Sequence, residues 1–255
     1  MTLSSAIFLF VAGILGGALN AVAGGGTFVV FPALMFMGVP PIPANATNTV
    51  SLWLGTAAST RAYRHHLNTS RRILLPLLIT GTLGSVAGAF LLVRTPAHTF
   101  LHAVPWLMLL ATVLFAFGGY LGGLIHVGEP HDLSARAVAG LTTAEAVVAV
   151  YGGYFGGGIG IMNLAMFAAM GMTDINAMNA LKVILVAVIN GTAMVTFIVT
   201  RTVYWPQTIV ITAGALLGGY YGAHYSQRLP QSWVRGSVIA TGVAMTVYFF
   251  VKAYF

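Results

Sequence analysis

Apolar residues run along this chain in long uncharged blocks that cover 1–60, 73–93, 95–128, 146–173, 183–200, 202–227 and 236–251. Most of these blocks exceed the ~20 residues an α-helix needs to cross a bilayer core. Segmented at glycine, proline and charge, they predict helices over about 3–23, 44–60, 73–93, 99–123, 135–151, 177–200, 206–226 and 233–254, with short apolar pieces at 27–38 and 161–170. The piece at 27–38 stops at Gly38-Val39-Pro40-Pro41-Ile42-Pro43. At ~1.5 Å per residue it is only ~18 Å long, too short to cross alone. It is therefore a half-helix, a re-entrant piece or a tapered span. The pattern predicts an all-α integral membrane protein of about eight to ten segments.

The glycines punctuate this pattern twice. Gly24-Gly25-Gly26 and Gly156-Gly157-Gly158-Ile159-Gly160 interrupt apolar stretches, although each glycine in a helix costs ~1 kcal/mol against alanine. Each break is followed by a short apolar piece and then by a helix with a polar start. Irregular backbone at membrane depth is tolerated only where it is buried in protein or lines a cavity, as in the binding sites of transporters. Aligning Gly171 with Gly38 puts Gly157 and Gly158 on Gly24 and Gly25, Asp174 on Pro41 and Lys182 on Thr49. Two repeats result, 1–125 and 135–255, joined by a hydrophilic linker at 126–134 that carries Glu129, His131 and Asp132.

Charge placement predicts that the repeats are inverted. The stretch Arg61–Arg72 holds four arginines, whereas its counterpart in the second half has only Arg201. After the fourth segment the bias swaps, with Arg94 in the first half and Arg228 and Arg235 in the second. Basic residues mark cytoplasmic loops, so a swap of this kind is what opposite orientations require.

Composition narrows the function classes. With 58% hydrophobic and 6% charged residues the chain is far from a soluble globule, where about 25% charged is usual. The formal charge of +7 sits at the ends of apolar spans, so it reads as topology control and not as a nucleic-acid surface. Without cysteine there is no thiol or thiolate chemistry. The N-terminus lacks the basic region of a cleavable signal, so the first apolar segment is expected to be retained. His98 and His102 are four apart, but no carboxylate or cysteine lies near in sequence to complete a metal shell. An embedded enzyme would need a nucleophile–base pair or a metal set, so no enzyme and no cofactor is expected.

What remains is a site for a small anion. Helix N-termini at the two breaks offer backbone N–H groups and a partial positive charge, and glycine permits close approach. Gly118-Gly119, Gly122-Gly123 and Gly218-Gly219 lack that context and read as packing faces. Lys182 lies about two turns into an apolar helix, after Asn176 and Asn179. A lysine at membrane depth is a functional candidate by default, against the alternative of snorkelling to the interface. The substrate-binding candidates are Asn20, Gly24, Gly25, Gly26, Thr27, Asn45, Thr47, Asn48, Gly156, Gly157, Gly158, Gly160, Asn179 and Lys182. Asn20, Asn163 and Asn190 either contribute to binding or bridge helices. Glu145 is a candidate proton carrier, a partner for Lys182, or a structural carboxylate. Asp174 is placed to cap the helix after it, and His224 reads as interfacial.

The order Ala23-Gly24-Gly25-Gly26-Thr27, Pro32, Gly38-Val39-Pro40-Pro41 and Ala44-Asn45-Ala46-Thr47-Asn48 resembles the first repeat of the TauE/SafE sulfite exporter family. Gly152 to Gly160 followed by Asn179-Ala180-Leu181-Lys182 resembles its second, and Tyr204-Trp205-Pro206 with Gly214–Gly222 is similar to its C-terminal half. The family often has Thr-Ser where this chain has Thr47-Asn48, and Thr27 replaces a fourth glycine. The resemblance implies a multi-pass inner-membrane transporter that exports sulfite, a sulfonate or a related small anion. Its expected partners are the anionic substrate and the lipid bilayer, and a homodimer is left open.

Overall fold

A computed structural model describes residues 1–63, 71–121, 135–169, 172, 175–226 and 231–255. The interior of the Arg61–Arg72 stretch, the linker 126–134, Gly122-Gly123, Gly171, Asp174 and Arg228 lie outside the described residues, as do the side chains of Asn176, His224 and Arg235. The order is α1 Leu3–Ala23, α2 Thr27–Phe36, α3 Pro41–Tyr63, α4 Arg71–Arg94, α5 Ala97–Leu121, α6 Ala135–Tyr154, α7 Ile159–Ala169, α8 Ile175–Val199, α9 Trp205–Ser226 and α10 Gln231–Tyr254.

Local chemistry sets most boundaries. Thr2 caps α1, its hydroxyl accepting from the Ser5 amide at 3.3 Å, and Gly24 ends it in the left-handed region at φ 71. The Gly24 and Gly25 amides donate back to the carbonyls of Asn20 and Leu19, closing the helix as glycine caps do. At the end of α2, Gly38 takes φ 79, and the amides of Gly38 and Val39 turn back to Met35 and Leu34. α3 begins at Pro41, three residues before the segment expected from apolar content. Proline is favoured in a first helical turn, where no amide partner is needed.

Four described helices contain spans long and apolar enough to cross a bilayer: Leu3–Ala21, Arg71–Arg94, Ala97–Leu114 and Ala177–Val199. Large apolar side chains point outward along several helices, among them Leu83 on α4, Val147 on α6, Val195 on α8 and Ile209 on α9. That is the arrangement of a protein solvated by lipid. The molecule is an all-α membrane protein.

The short helix α2 is not a lipid-facing span. Eight of the ten residues of α2 are buried. Its Phe31 ring lies 6.3 Å from Phe100 on α5, 5.9 Å from Phe155 and 5.5 Å from Phe249 on α10. Each such ring pair contributes ~0.5–1.5 kcal/mol beyond its buried area. All of α2 but Val29 and its last residue, Phe36, is thus buried in protein, which is where membrane-embedded backbone next to a break must be.

Packing couples the halves crosswise. α1 packs along α9 and α4 along α6, while α3 meets α8 and α5 meets α10. Exchanging α1–α5 with α6–α10 converts this pattern into itself: α1–α9 becomes α6–α4, α3–α9 becomes α8–α4, and α1–α2 becomes α6–α7. Glycines make the two longest seams. An added Cβ at Gly17 would lie 2.6 Å from Ala215 Cα, and one at Gly153 2.8 Å from the Ser85 carbonyl carbon. Small residues let membrane helices approach to backbone contact. Gly218 belongs to such a face, its missing Cβ lying against Ile14, whereas Gly219 meets nothing nearer than 3.8 Å.

Candidate functional site

The helices that follow the first glycine break pack against the second break in the interior. Asn45 Nδ2 on α3 donates 3.1 Å to the carbonyl of Tyr154, the last residue of α6, and Phe31 stacks its edge toward Phe155 inside the second break. Residues more than a hundred apart in sequence therefore join the helices that follow the first break to the end of α6 and the second break.

At the first break Gly25, Gly26 and Thr27 are buried, and no side chain caps Gly26 at the start of α2. Gly26 is required sterically, since a Cβ there would lie 2.5 Å from the Gly16 carbonyl oxygen and 2.8 Å from Asn20 Cβ. Gly24 faces open space. Asn48 Nδ2 donates to Thr27 Oγ1 at 3.2 Å, leaving Asn48 Oδ1 and also Asn45 Oδ1 buried without a hydrogen-bond partner. Because a hydroxyl both donates and accepts, the Asn48–Thr27 bond works in either amide orientation. Turned over, Asn48 presents amide protons in place of its carbonyl oxygen. Asn20 bridges to Thr56 on α3 at 3.3 Å.

At the second break Gly156 and Gly158 both adopt left-handed backbone, at φ 79 and φ 76. Such a path is open to glycine and strained for other residues. Among the described residues the amides of Gly157, Gly158, Ile159 and Gly160 find no backbone acceptor, as expected where a helix begins. Gly160 packs on the Lys182 stem, a Cβ there meeting Lys182 Cδ at 3.5 Å. Lys182 Nζ donates to Asn179 Oδ1 at 2.8 Å. One of three ammonium donors is used by that bond. Asn163, one turn into α7, is fully buried with both its polar atoms unpartnered.

The structure brings together Gly160, Asn179 and Lys182, and separately Thr27 and Asn48, while Asn45 ties the start of α3 to the last residue of α6. Thr47 lies elsewhere. Its buried hydroxyl accepts the Tyr204 amide at 3.0 Å and so fastens α3 to the start of α9. Glu145 is fully buried on α6. It is not the partner of Lys182, because neither carboxylate oxygen has a hydrogen-bond partner while the ammonium turns to Asn179. Tyr151 escaped the sequence reading. Its hydroxyl donates to the Gly157 carbonyl at 2.7 Å and shapes the second break from one turn upstream. The only hint in sequence is an aromatic hydroxyl five residues before the break opens at Gly156. His102 Nδ1 bonds the His98 carbonyl oxygen at 2.7 Å, and His98 Nε2 bonds Thr99.

The model of the sulfite exporter TauE/SafE family matches residues 9–249. A "Probable membrane transporter protein" of Haemophilus influenzae is 27% identical over 239 residues, 93% of this chain and 91% of that protein. A "Probable membrane transporter protein ORF9" of a Sinorhizobium species is 31% identical over 110 residues, 42% of this chain and 41% of the relative. The match to the Sinorhizobium protein thus spans under half of its length. No solved structure matches the chain.

Proposed function

The chain belongs to the TauE/SafE sulfite exporter family, and from that premise we propose that it is a secondary transporter carrying a small oxyanion, such as sulfite or a sulfonate, outward across the inner membrane. The observation that carries this reading is Lys182 at the second break, its ammonium on Asn179 and its stem on Gly160 beside the unpaired amides that open α7. Cation, helix N-terminus and glycine-lined approach together suit a compact oxyanion. Asn163, and Asn48 in its reversed amide orientation, add neutral donors. A set of one cation and several neutral donors holds an anion without trapping it.

Helix directions support an inverted-repeat carrier. α1 and α9 run parallel, Gly13 meeting Ile211 and Gly17 meeting Ala215; α4 and α6 run parallel, Gly84 meeting Ala149 and Gly88 meeting Tyr154. α5 and α10 run antiparallel, with Trp106 against Phe250 and Thr112 beside Gly242. An inverted repeat requires the chain to reverse between α4 and α5, which only Thr95 and Pro96 separate, and again between α9 and α10; α1 and α6, the first helices of the two halves, then point in opposite directions. Rocking of one half against the other about the paired breaks gives alternating access.

The test is uptake of labelled sulfite into proteoliposomes, with unlabelled sulfonates and sulfate as competitors. The wild type is expected to show saturable flux with counterflow, suppressed by the true substrate class, and Lys182→Gln to lose it while still purifying as a folded protein. Wild-type vesicles no more permeable than empty ones would remove sulfite as the cargo. Unsaturable flux without counterflow would indicate a channel.

A further inference from the structure

Glu145 is one of four carboxylates in the chain, and it occupies an unusual place. It lies on α6 where α4 and α8 close over it, fully buried. Its Oε1 is 3.7 Å from the position a Cβ would take on Gly81 of α4, and Ile189 of α8 borders the same position at 3.5 Å. Leu77, Leu141, Val148, Ala149 and Leu185 belong to the apolar cluster around it. Both carboxylate oxygens lack a hydrogen-bond donor.

Among the described residues no cationic or titratable group on the elements packed against α6 makes a hydrogen bond to Glu145. On α4 they are Arg71, Arg72 and Arg94, all within a residue of a helix end. On α8 the described one is Lys182, engaged with Asn179, and α7 carries none in its sequence. On α6 itself Tyr151 donates to Gly157, Tyr154 reaches toward Thr95, and Arg136 is the second residue of the helix. An ionised carboxylate enclosed this way has nothing to offset its lost hydration, whereas the neutral acid is tolerated.

The seam next to Glu145 is the tightest kind in the molecule. One turn beyond Gly81, a Cβ at Gly84 would lie 2.8 Å from Ala149 Cβ, and one at Gly88 2.9 Å from the Tyr154 amide. Ser85 adds a hydrogen bond to the Ile189 carbonyl of α8. Thus α8 touches both places: Lys182 near its start faces the glycine break, and Ile189, two turns on, covers Glu145.

We propose that Glu145 is the proton-binding site of this transporter, loaded when α4, α6 and α8 close around it and unloaded to water when the α4–α6 seam opens. The proton arrives from bulk water, binds one carboxylate oxygen, and leaves to water on the side to which the seam opens; no other bond changes. Closure of α8 over the protonated acid is what ties proton binding to the Lys182 side of the same helix. The coupling part of this proposal rests on the anion-carrier reading above, whereas the proton site itself does not.

Two measurements test it. In proteoliposomes, the wild type is expected to accumulate labelled anion when a pH gradient is imposed. Glu145→Gln, nearly the same in shape but unable to release a proton, is expected to lose that stimulation while counterflow of anion against anion persists. Gradient-driven accumulation that survives in Glu145→Gln overturns the proposal. The second measurement uses the wild type alone. Dicyclohexylcarbodiimide, an apolar reagent, reacts with a protonated carboxyl, the acid adding across a C=N bond with its proton passing to nitrogen. Mass spectrometry should find the adduct on the Glu145 peptide, declining as pH rises; no adduct at any pH overturns the proposal even where the variant fails to fold. If wild-type vesicles show neither uptake nor counterflow, the anion reading falls, and labelling alone then upholds or overturns the proton site.

Discussion

Gly218 and Gly219 sit next to each other on α9 yet should respond oppositely to alanine. A methyl at Gly218 would come 2.6 Å from the Ile14 carbonyl carbon and closer still to its oxygen, whereas a methyl at Gly219 meets nothing nearer than the Gly17 carbonyl oxygen at 3.8 Å. Carbon atoms pack at ~3.5–4.0 Å, so Gly218→Ala must push α1 and α9 apart by about 1 Å along a seam that joins the two halves. Overpacking of this kind costs ~1–3 kcal/mol. Both substitutions gain the same ~1 kcal/mol of helix propensity, so the difference between them isolates the seam. At about 2–4 °C per kcal/mol for a chain of this length, the melting temperature of Gly218→Ala in detergent should fall about 2–12 °C below that of Gly219→Ala. Thermal unfolding followed by size-exclusion chromatography reads it directly. Equal melting temperatures for the two variants would mean that α1 and α9 do not touch at Gly218, and the crosswise pairing of the halves would go with it.

Three further expectations follow from particular contacts. Gly24 and Gly158 both hold left-handed backbone, which costs ~1–2 kcal/mol for alanine. Only Gly158 also has a neighbour in the way, Ala111 Cβ at 2.9 Å, so Gly158→Ala should lower the melting temperature more than Gly24→Ala. Trp53→Phe removes the 2.9 Å bond from Nε1 to the Ala187 carbonyl that joins α3 to α8. The loss should be ~0.5–1.5 kcal/mol, read as a lower melting temperature, and an unchanged melting temperature would show that Trp53 does not make that part-buried bond. Asn45→Leu strips the Tyr154 carbonyl of its donor across the two breaks. It should reduce the maximal rate of anion flux more than Thr56→Val, which removes the Asn20 bridge and a bond within α3 to the Leu52 carbonyl; equal rates in the two variants would detach Asn45 from the site.

What the chain determines by itself is local. Uncharged runs, ended by glycine, proline or arginine, predict eight helices and two short apolar pieces whose bounds lie within a few residues of the ten helices among the described residues, because in lipid every backbone group must be satisfied within its own segment. The breaks at Gly24–Gly26 and Gly156–Gly158 are legible for the same reason, since consecutive glycines neither favour helix nor fill space. The part-buried pairing of Lys182 with Asn179 is also foreshadowed, by a cation in an apolar run with an amide three residues earlier.

The pairing of helices is not. Gly13 and Gly17 on α1, Gly84 and Gly88 on α4, and Gly214 and Gly218 on α9 form similar small-residue faces, and nothing in their spacing says that α1 takes α9 while α6 takes α4. Only shape fit over whole helices decides it. Thr47 illustrates the consequence. Its position in a polar helix start reads as site lining, and tertiary structure turns it to the Tyr204 amide instead. Glu145 is the converse case, a carboxylate whose surroundings come from three helices distant in sequence. Burial, and with it the chemistry of the group, is a property of the packed whole, whereas the helices that do the packing are written in the order of apolar residues.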